Sequence, residues 1–294
     1  IKYIMEDGGK RLRPVLALLA YNLYRDDVEK ILKSVIGIEI FHNYTLLHDD
    51  VMDDAELRRG RQTVHKKWNS NVAILSGDAA AITAYRMIET VDDEYLRRAI
   101  DGFNQVAMDV CKGQQYDMEF ETRDDVTEQE YIDMIYLKTS VLIAGSIRHG
   151  ALVAGAPEHE YNALYDFGGY LGLVFQLQDD YLDVYGDVAE FGKKIGGDIL
   201  SNKKTYMLIK ALELASPEDK AMLQEWIAKK EFDPQEKIKA VTEIYNRTGI
   251  KEVVMAKIDT YMDKSREALD KVDVPEERKV HFREMVDYIG GRKK

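Results

Sequence analysis

Cysteine occurs once in the 294 residues, at Cys111, and proline only five times. A single thiol excludes an intrachain disulfide framework and suits a reducing compartment, so a cytoplasmic protein is expected. The prolines, at Pro14, Pro157, Pro217, Pro234 and Pro275, leave long stretches in which nothing breaks a helix. Positive charge is also scarce: 41 Lys and Arg face 53 Asp and Glu, for a formal net charge of −12. Binding nucleic acid needs a basic surface, so that partner class is excluded; a phosphorylated small molecule gripped by a few local cations is not. The longest apolar run, residues 141 to 156, is broken by Arg148 and His149, so no transmembrane segment is expected, and no secretory leader is visible. The chain opens at Ile1 rather than methionine, and its own N-terminal segment is expected to be missing. Neither a P-loop nor HExxH occurs, and no serine, cysteine and histidine set suggests acyl transfer.

What the chain does hold is acid in unusual places. Residues 34 to 63 read SVIGIEIFHNYTLLHDDVMDDAELRRGRQT. Apolar Val35, Ile36, Ile38, Ile40, Phe41, Leu46, Leu47 and Val51 predict a helix from Ser34 to Asp54, buried on more than one side. At helical spacing Asp49, Asp50 and Asp53 share a face, with Arg58 and Arg59 close behind. A second set, Asp179, Asp180 and Asp183, repeats that spacing within the apolar run FQLQDDYLD. One such cluster is commonly a solvated helix end. Two at matched spacing, each inside apolar sequence, point to a shared task. Carboxylates crowded in apolar surroundings repel and lose solvation, which a cation relieves. All-oxygen ligands favour Mg2+ or Mn2+ over zinc, and Mg2+ typically takes one or two carboxylates together with substrate phosphates.

Basic residues sit where such phosphates would need them. GGKRLRP, residues 8 to 14, combines two glycines with Lys10, Arg11 and Arg13 ahead of a helix, although such residues are usually solvated surface. Lys138 and Thr139 lie inside an apolar helix, and the lysine either snorkels outward or faces something negative. Gln176 precedes Asp179 by one turn on the same face. Gly168, Gly169 and Gly172 ahead of the second set allow close helix approach, and residues 186 to 204 form a glycine and lysine loop able to fold over an anion, with Lys193 and Lys203 among its cations. His42, two turns before Asp49, is by itself more often a core histidine than a ligand. Residues 92 to 127 read as apolar helix broken by acidic turns, Thr127 as the cap of the helix after it, and residues 205 to 290 as amphipathic helices parted by prolines. No repeat or linker composition appears, so residues 1–294 are expected to form one all-α domain.

On GGKRLRP, LLHDDVMDDAELRRG, KTS and FQLQDDYLD followed by GD…GKKIGGDI…NKK, the chain resembles the trans-type isoprenyl diphosphate synthases of the polyprenyl synthetase family, over essentially its whole length. The resemblance implies a single bundle of long, mostly antiparallel helices around a deep central pocket, usually in a homodimer. It implies Mg2+-dependent condensation of isopentenyl diphosphate, head to tail, with an allylic diphosphate. By the same resemblance Asp49, Asp50, Asp53, Asp179, Asp180 and Asp183 hold the metal ions. Arg58, Lys138, Lys193 and Lys203 match positions contacting the allylic diphosphate. Lys10, Arg13, His42 and Arg59 match the isopentenyl diphosphate site, and Thr139 and Gln176 match polar groups beside the developing allylic cation. Tyr44, with Phe41 and Thr45 nearby, stands where bulky residues form the floor that stops chain growth, which implies a product of fifteen to twenty carbons, farnesyl or geranylgeranyl diphosphate.

Two features depart from the pattern: Gln62 replaces a usual proline, and the helix that normally precedes GGKRLRP is largely absent. The basic end Arg292, Lys293 and Lys294 matches a tail that closes the site in some relatives, though a frayed solvated tail is the commoner form. The alternatives are a longer-chain polyprenyl diphosphate synthase, a class I terpene cyclase and a silent prenyltransferase subunit. Cyclases usually carry an Asn/Ser/Glu-type second motif, and silent subunits typically lose one aspartate motif; this chain has both in full.

Overall fold

The computed structural model describes residues 1–186 and 195–291. The described residues form helices and one two-stranded ribbon, linked by turns and loops, and divide into two compact units. The first comprises residues 1–107, 142–165 and 272–279; the second comprises residues 108–141, 166–271 and 280–294.

The first unit opens with the short helix α1 (Lys2–Met5), followed by a turn and α2 (Leu12–Asn22). Pro14 falls in the first turn of α2, where its missing N–H costs nothing. Helix α3 (Leu32–Met52) is apolar nearly all round and is buried on several sides, at Val35, Ile38, Ile40, Phe41 and Leu47. Ile36 departs from the expectation and is 44% exposed. After α3 come β1 (Leu57–Arg58) and β2 (Arg61–Gln62), joined by the two-residue turn Arg59-Gly60. Both turn residues have positive φ, +53° and +79°, as a tight right-twisted hairpin requires. The short helix α4 (Val64–Lys67) leads to α5 (Ser70–Ile88), capped by the Asn69 side chain. Helix α5 offers α3 a stripe of small residues, Ala73, Gly77, Ala80 and Ala84. The approach is so close that a Cβ on Gly37 of α3 would meet the Ala84 carbonyl at 2.8 Å. Helix α6 (Asp93–Glu121) runs unbroken for 29 residues where acidic interruptions were expected. Its buried Ala99, Phe103, Val106 and Val110 recur at helical spacing, with Asp101 between them on the outer face.

In the second unit α7 (Glu128–Ile135) starts at a full capping box, Thr127 with Glu130, as the sequence suggested. A π-helical turn, Tyr136–Ser140, follows it and contains Lys138 and Thr139; the chain then continues into α8 (Val141–Val153), whose residues from Leu142 on belong to the first unit. Helix α9 (Glu158–Tyr185) carries the second carboxylate set. Gly172 of α9 lies so near this turn that a Cβ there would come within 2.5 Å of Ser140 Cα. Gly113 of α6 has the same relation to Lys138, at 2.2 Å from its backbone nitrogen. Glycine on both sides is therefore what lets the π turn seat its side chains against α9, and such turns are frequent at functional sites. The remainder is α10 (Gly197–Leu200), α11 (Tyr206–Leu214), α12 (Pro217–Ala228), α13 (Pro234–Arg247), α14 (Ile250–Asp270) and α15 (Glu276–Gly290). Prolines start α12 and α13 as expected; the break between α13 and α14 is made instead by Gly249 at φ +67°. Among the described residues no helix is long and apolar enough to cross a membrane.

Candidate active site

The first carboxylate set closes α3. Asp50 is buried at 3% exposure, Asp49 is half-buried and Asp53, just past the helix, is exposed. Arg58 reaches back from β1 to this set: its Nε donates to Asp50 Oδ1 at 2.8 Å, and its Nη2 lies 3.4 Å from Asp49 Oδ2. Burial pushes the Asp50 carboxyl above its usual range, with Arg58 opposing it. Arg59 occupies the hairpin tip and donates from Nη1 to the Gly8 carbonyl at 2.8 Å.

The GGKRLRP turn meets this hairpin and α3. Arg13 Nη1 lies 3.1 Å from His42 Nε2. Burial, and then the field of Arg13, Arg59 and Arg58, hold the His42 imidazole well below its usual range, so it is neutral and can accept that bond. Burial also brings the Arg13 guanidinium down to about 10, with Glu39 pulling the other way. Arg11, which the sequence offered as a further anion contact, turns inward onto Glu39 instead, at 2.5 Å. Thr45 returns its hydroxyl to the His42 carbonyl at 2.8 Å. Tyr44 is half-buried, with its ring 5.2 Å from Phe41, and Phe41 lies 4.9 Å from Phe103 on α6.

The second unit repeats the arrangement with different partners. Asp180 is the buried member, again at 3% exposure, between the partly exposed Asp179 and Asp183. The Tyr131 hydroxyl and Gln176 Nε2 both donate to it, the latter at 3.1 Å. Burial, reinforced by Asp198, raises the Asp180 carboxyl to about 7, while Lys203 and the two hydrogen bonds pull it down. Asp183 Oδ2 accepts the Asp198 N–H at 2.9 Å, which ties α9 to the segment bearing Lys203. Thr139 Oγ1 donates to Gln176 Oε1 at 3.1 Å, so the two polar groups matched to the allylic cation are neighbours. Lys138 faces acid, the second of its two options: its Nζ donates to Asp117 Oδ2 at 2.5 Å. Lys193 and the 292–294 tail lie outside the described residues.

Sequence reasoning missed Tyr131, Asp117, Glu39 and Asp198. Each meets its partner through an element remote in sequence, and no local periodicity marks it.

The residues present fit a hard divalent cation. Their donors are all oxygen, and each set buries one carboxylate, Asp50 or Asp180, at 3% exposure. Among the described residues no three histidine, cysteine or acidic side chains converge enough to hold a metal by themselves. Mg2+ does not demand that, since substrate phosphates and water complete its shell.

The family model for polyprenyl synthetase matches residues 1–245. A short chain isoprenyl diphosphate synthase of Methanothermobacter thermautotrophicus is 39% identical over 278 residues, which cover 94% of this chain and 83% of that protein. A crystal structure of a geranylgeranyl pyrophosphate synthase superposes with a TM-score of 0.95 at 42% identity, covering 100% of this chain and 90% of that one. The geranylgeranyl pyrophosphate synthase of Corynebacterium glutamicum, solved in complex with isoprenyl diphosphate and magnesium, gives 0.88 at 30% identity, with 97% of this chain and 87% of that one covered.

Proposed function

The chain belongs to the polyprenyl synthetase family and is a short-chain trans-prenyltransferase, and from that premise we propose that it condenses isopentenyl diphosphate, head to tail, with dimethylallyl, geranyl or farnesyl diphosphate to release farnesyl or geranylgeranyl diphosphate. The observation that carries this reading is the pair of matched carboxylate sets, each with a buried middle aspartate, accompanied by a separate arginine and histidine cradle at the GGKRLRP turn. Residues 1–294 act as one catalytic domain in this reading, in the cytoplasm.

Asp49, Asp50, Asp53, Asp179, Asp180 and Asp183 would hold Mg2+, with Mn2+ as a substitute. When bound, the metal neutralises the leaving diphosphate. Arg58, Lys138, Lys193 and Lys203 bind the allylic diphosphate and stabilise the charge it gains as its bond to carbon breaks. Thr139 Oγ1 and Gln176 Oε1 present electron-rich oxygens to the allylic cation. Lys10, Arg13 and Arg59 grip the second diphosphate, and neutral His42 orients Arg13. The isopentenyl double bond then attacks the cation, and the proton lost from the adduct passes to the departed diphosphate.

The test is incubation with Mg2+, labelled isopentenyl diphosphate and a panel of allylic diphosphates, followed by chromatography of the dephosphorylated products. Elongation should vanish with chelator, and Asp49→Ala or Asp179→Ala should each lower turnover by about 10²–10³, the scale of one lost preorganised contact. Absence of isopentenyl-dependent elongation, or near-normal turnover in either variant, refutes the reading.

A further inference from the structure

Arg11 is the basic residue of the GGKRLRP turn that the proposed substrate contacts leave unused. Its backbone has φ +49°, a left-handed conformation uncommon outside glycine, between Gly9 at φ +114° and helix α2. Its side chain grips in two directions. Nη1 lies 2.5 Å from Glu39 Oε1, and Nη2 donates to the Met5 carbonyl at 2.6 Å. Glu39 is 6% exposed, and Asn43, 1% exposed, donates to its carbonyl oxygen at 2.8 Å and to Oε1 at 3.3 Å. Arg13 meets His42 from the same turn. Glu39, His42 and Asn43 lie three and four residues apart, on one face of α3, so two arginines two positions apart plug into one helical stripe. Arg59 joins from the hairpin, and its guanidinium lies so close that a Cβ on Gly9 would come within 2.9 Å of Cζ.

We propose that Arg11 and Glu39 are positioning residues for the isopentenyl diphosphate cradle: their ion pair fixes the strained turn on α3 and so sets where Lys10, Arg13 and Arg59 present their charges. The inference rests on the proposed function. Arg11 does not touch substrate in this scheme; its charge is spent on a carboxylate that would otherwise be buried unpaired. Two-pronged guanidinium contacts fix direction as well as distance, which a turn with two flanking glycines needs.

The experiment varies each substrate against saturating amounts of the other in Arg11→Met, Glu39→Gln and the double variant, with thermal midpoints recorded alongside. Each single change should raise KM for isopentenyl diphosphate by about 10–100-fold, the range for a lost charge-assisted bond, with the allylic KM nearly unmoved. The double variant should be no worse than the poorer single, because both remove one interaction. Arg11→Lys covers the case in which the others fail to fold: it keeps the ion pair and loses the second prong, and should raise the same KM by roughly 3–10-fold. Equal rises in both KM values, or a lowered midpoint with both KM values unchanged, would assign the pair to stability alone and overturn the proposal. A wild-type enzyme that never consumes isopentenyl diphosphate would sink the functional reading and this inference together.

Discussion

His149 enters the sequence only as an interruption of an apolar run, yet it is 7% exposed and its Nε2 lies 2.9 Å from Ser34 Oγ. Ser34 gives its own hydrogen to the Ile31 carbonyl at 3.0 Å, so the imidazole Nε2–H is the donor between them. Burial brings the His149 pKa down to about 4. The unfolded chain, with the ordinary value near 6.5, therefore binds more protons than the folded one between those two pH values. Stability from this residue is fully present above about 6.5 and is lost as pH falls toward about 4, on the order of 3 kcal/mol in all. His42 acts in the same direction. Asp180, raised to about 7, and Asp50 act the opposite way in the metal-free protein, gaining stability as pH falls, so the His149 contribution is read as a difference. Between pH 7 and 4.5 the thermal midpoint of His149→Gln should fall less, or rise more, than that of the wild type; equal slopes would assign the protons elsewhere. What could be read at this scale was which residues share a face: Asp49, Asp50 and Asp53 by spacing, and Thr127 with Glu130 by capping. What could not be read were partners on other elements, Tyr131 for Asp180 at 49 residues' separation and Asp117 for Lys138 at 21. Periodicity reports the face a residue occupies and is silent about what packs against it.

Among the elements, α3 follows its apolar pattern closely because burial on several sides leaves a strong signal. The interior of α6 was legible only in part, since acids on its outer face look locally like turns. The π turn at 136–140 has no signal of its own; Gly113 and Gly172, far away in the chain, make room for it. The geometry of α3 and α6 also bears on product length. Tyr44 is backed by Phe41 and Phe41 by Phe103, ring against ring at 5.2 and 4.9 Å. Phe103 in turn lines a cavity of about 420 Å3, solvent-open space included, whose walls include Ile38, Val106, Leu142 and Leu152. A tail stopped at Tyr44 would thus meet two further aromatic rings before reaching that space. Tyr44→Ala should lengthen the product by about one five-carbon unit, the room left by one aromatic side chain. Phe41→Ala added to Tyr44→Ala, which also removes the ring next to Phe103, should lengthen it further. Chromatography of the dephosphorylated products reads both, and unchanged distributions in the two variants would remove the ring stack from length control.

For the whole molecule the open question is assembly, and charge and apolar surface bear on it together. A net charge of −12 makes two copies repel, so a stable contact between them should run through surface with little charge of its own. Helix α5 offers such a surface. Val72, Leu75 and Ile82 are 39%, 67% and 63% exposed, and their spacing of three and seven residues places them on one stripe. Its 19 residues contain only two charged side chains, Asp78 and Arg86, of opposite sign. An apolar stripe left in water on a chain of this acidity is the mark of a contact surface. We propose that it joins two copies in a homodimer. Light scattering should then give about twice the 33.8 kDa of the chain, and raised salt should not dissociate it, because burial of apolar area rather than ion pairing would hold it. Leu75→Glu combined with Ile82→Glu should yield a monomer of unchanged helical content, since both side chains face water within the single chain. A wild-type monomer at micromolar concentration, or a double variant that remains dimeric, would move the interface off α5.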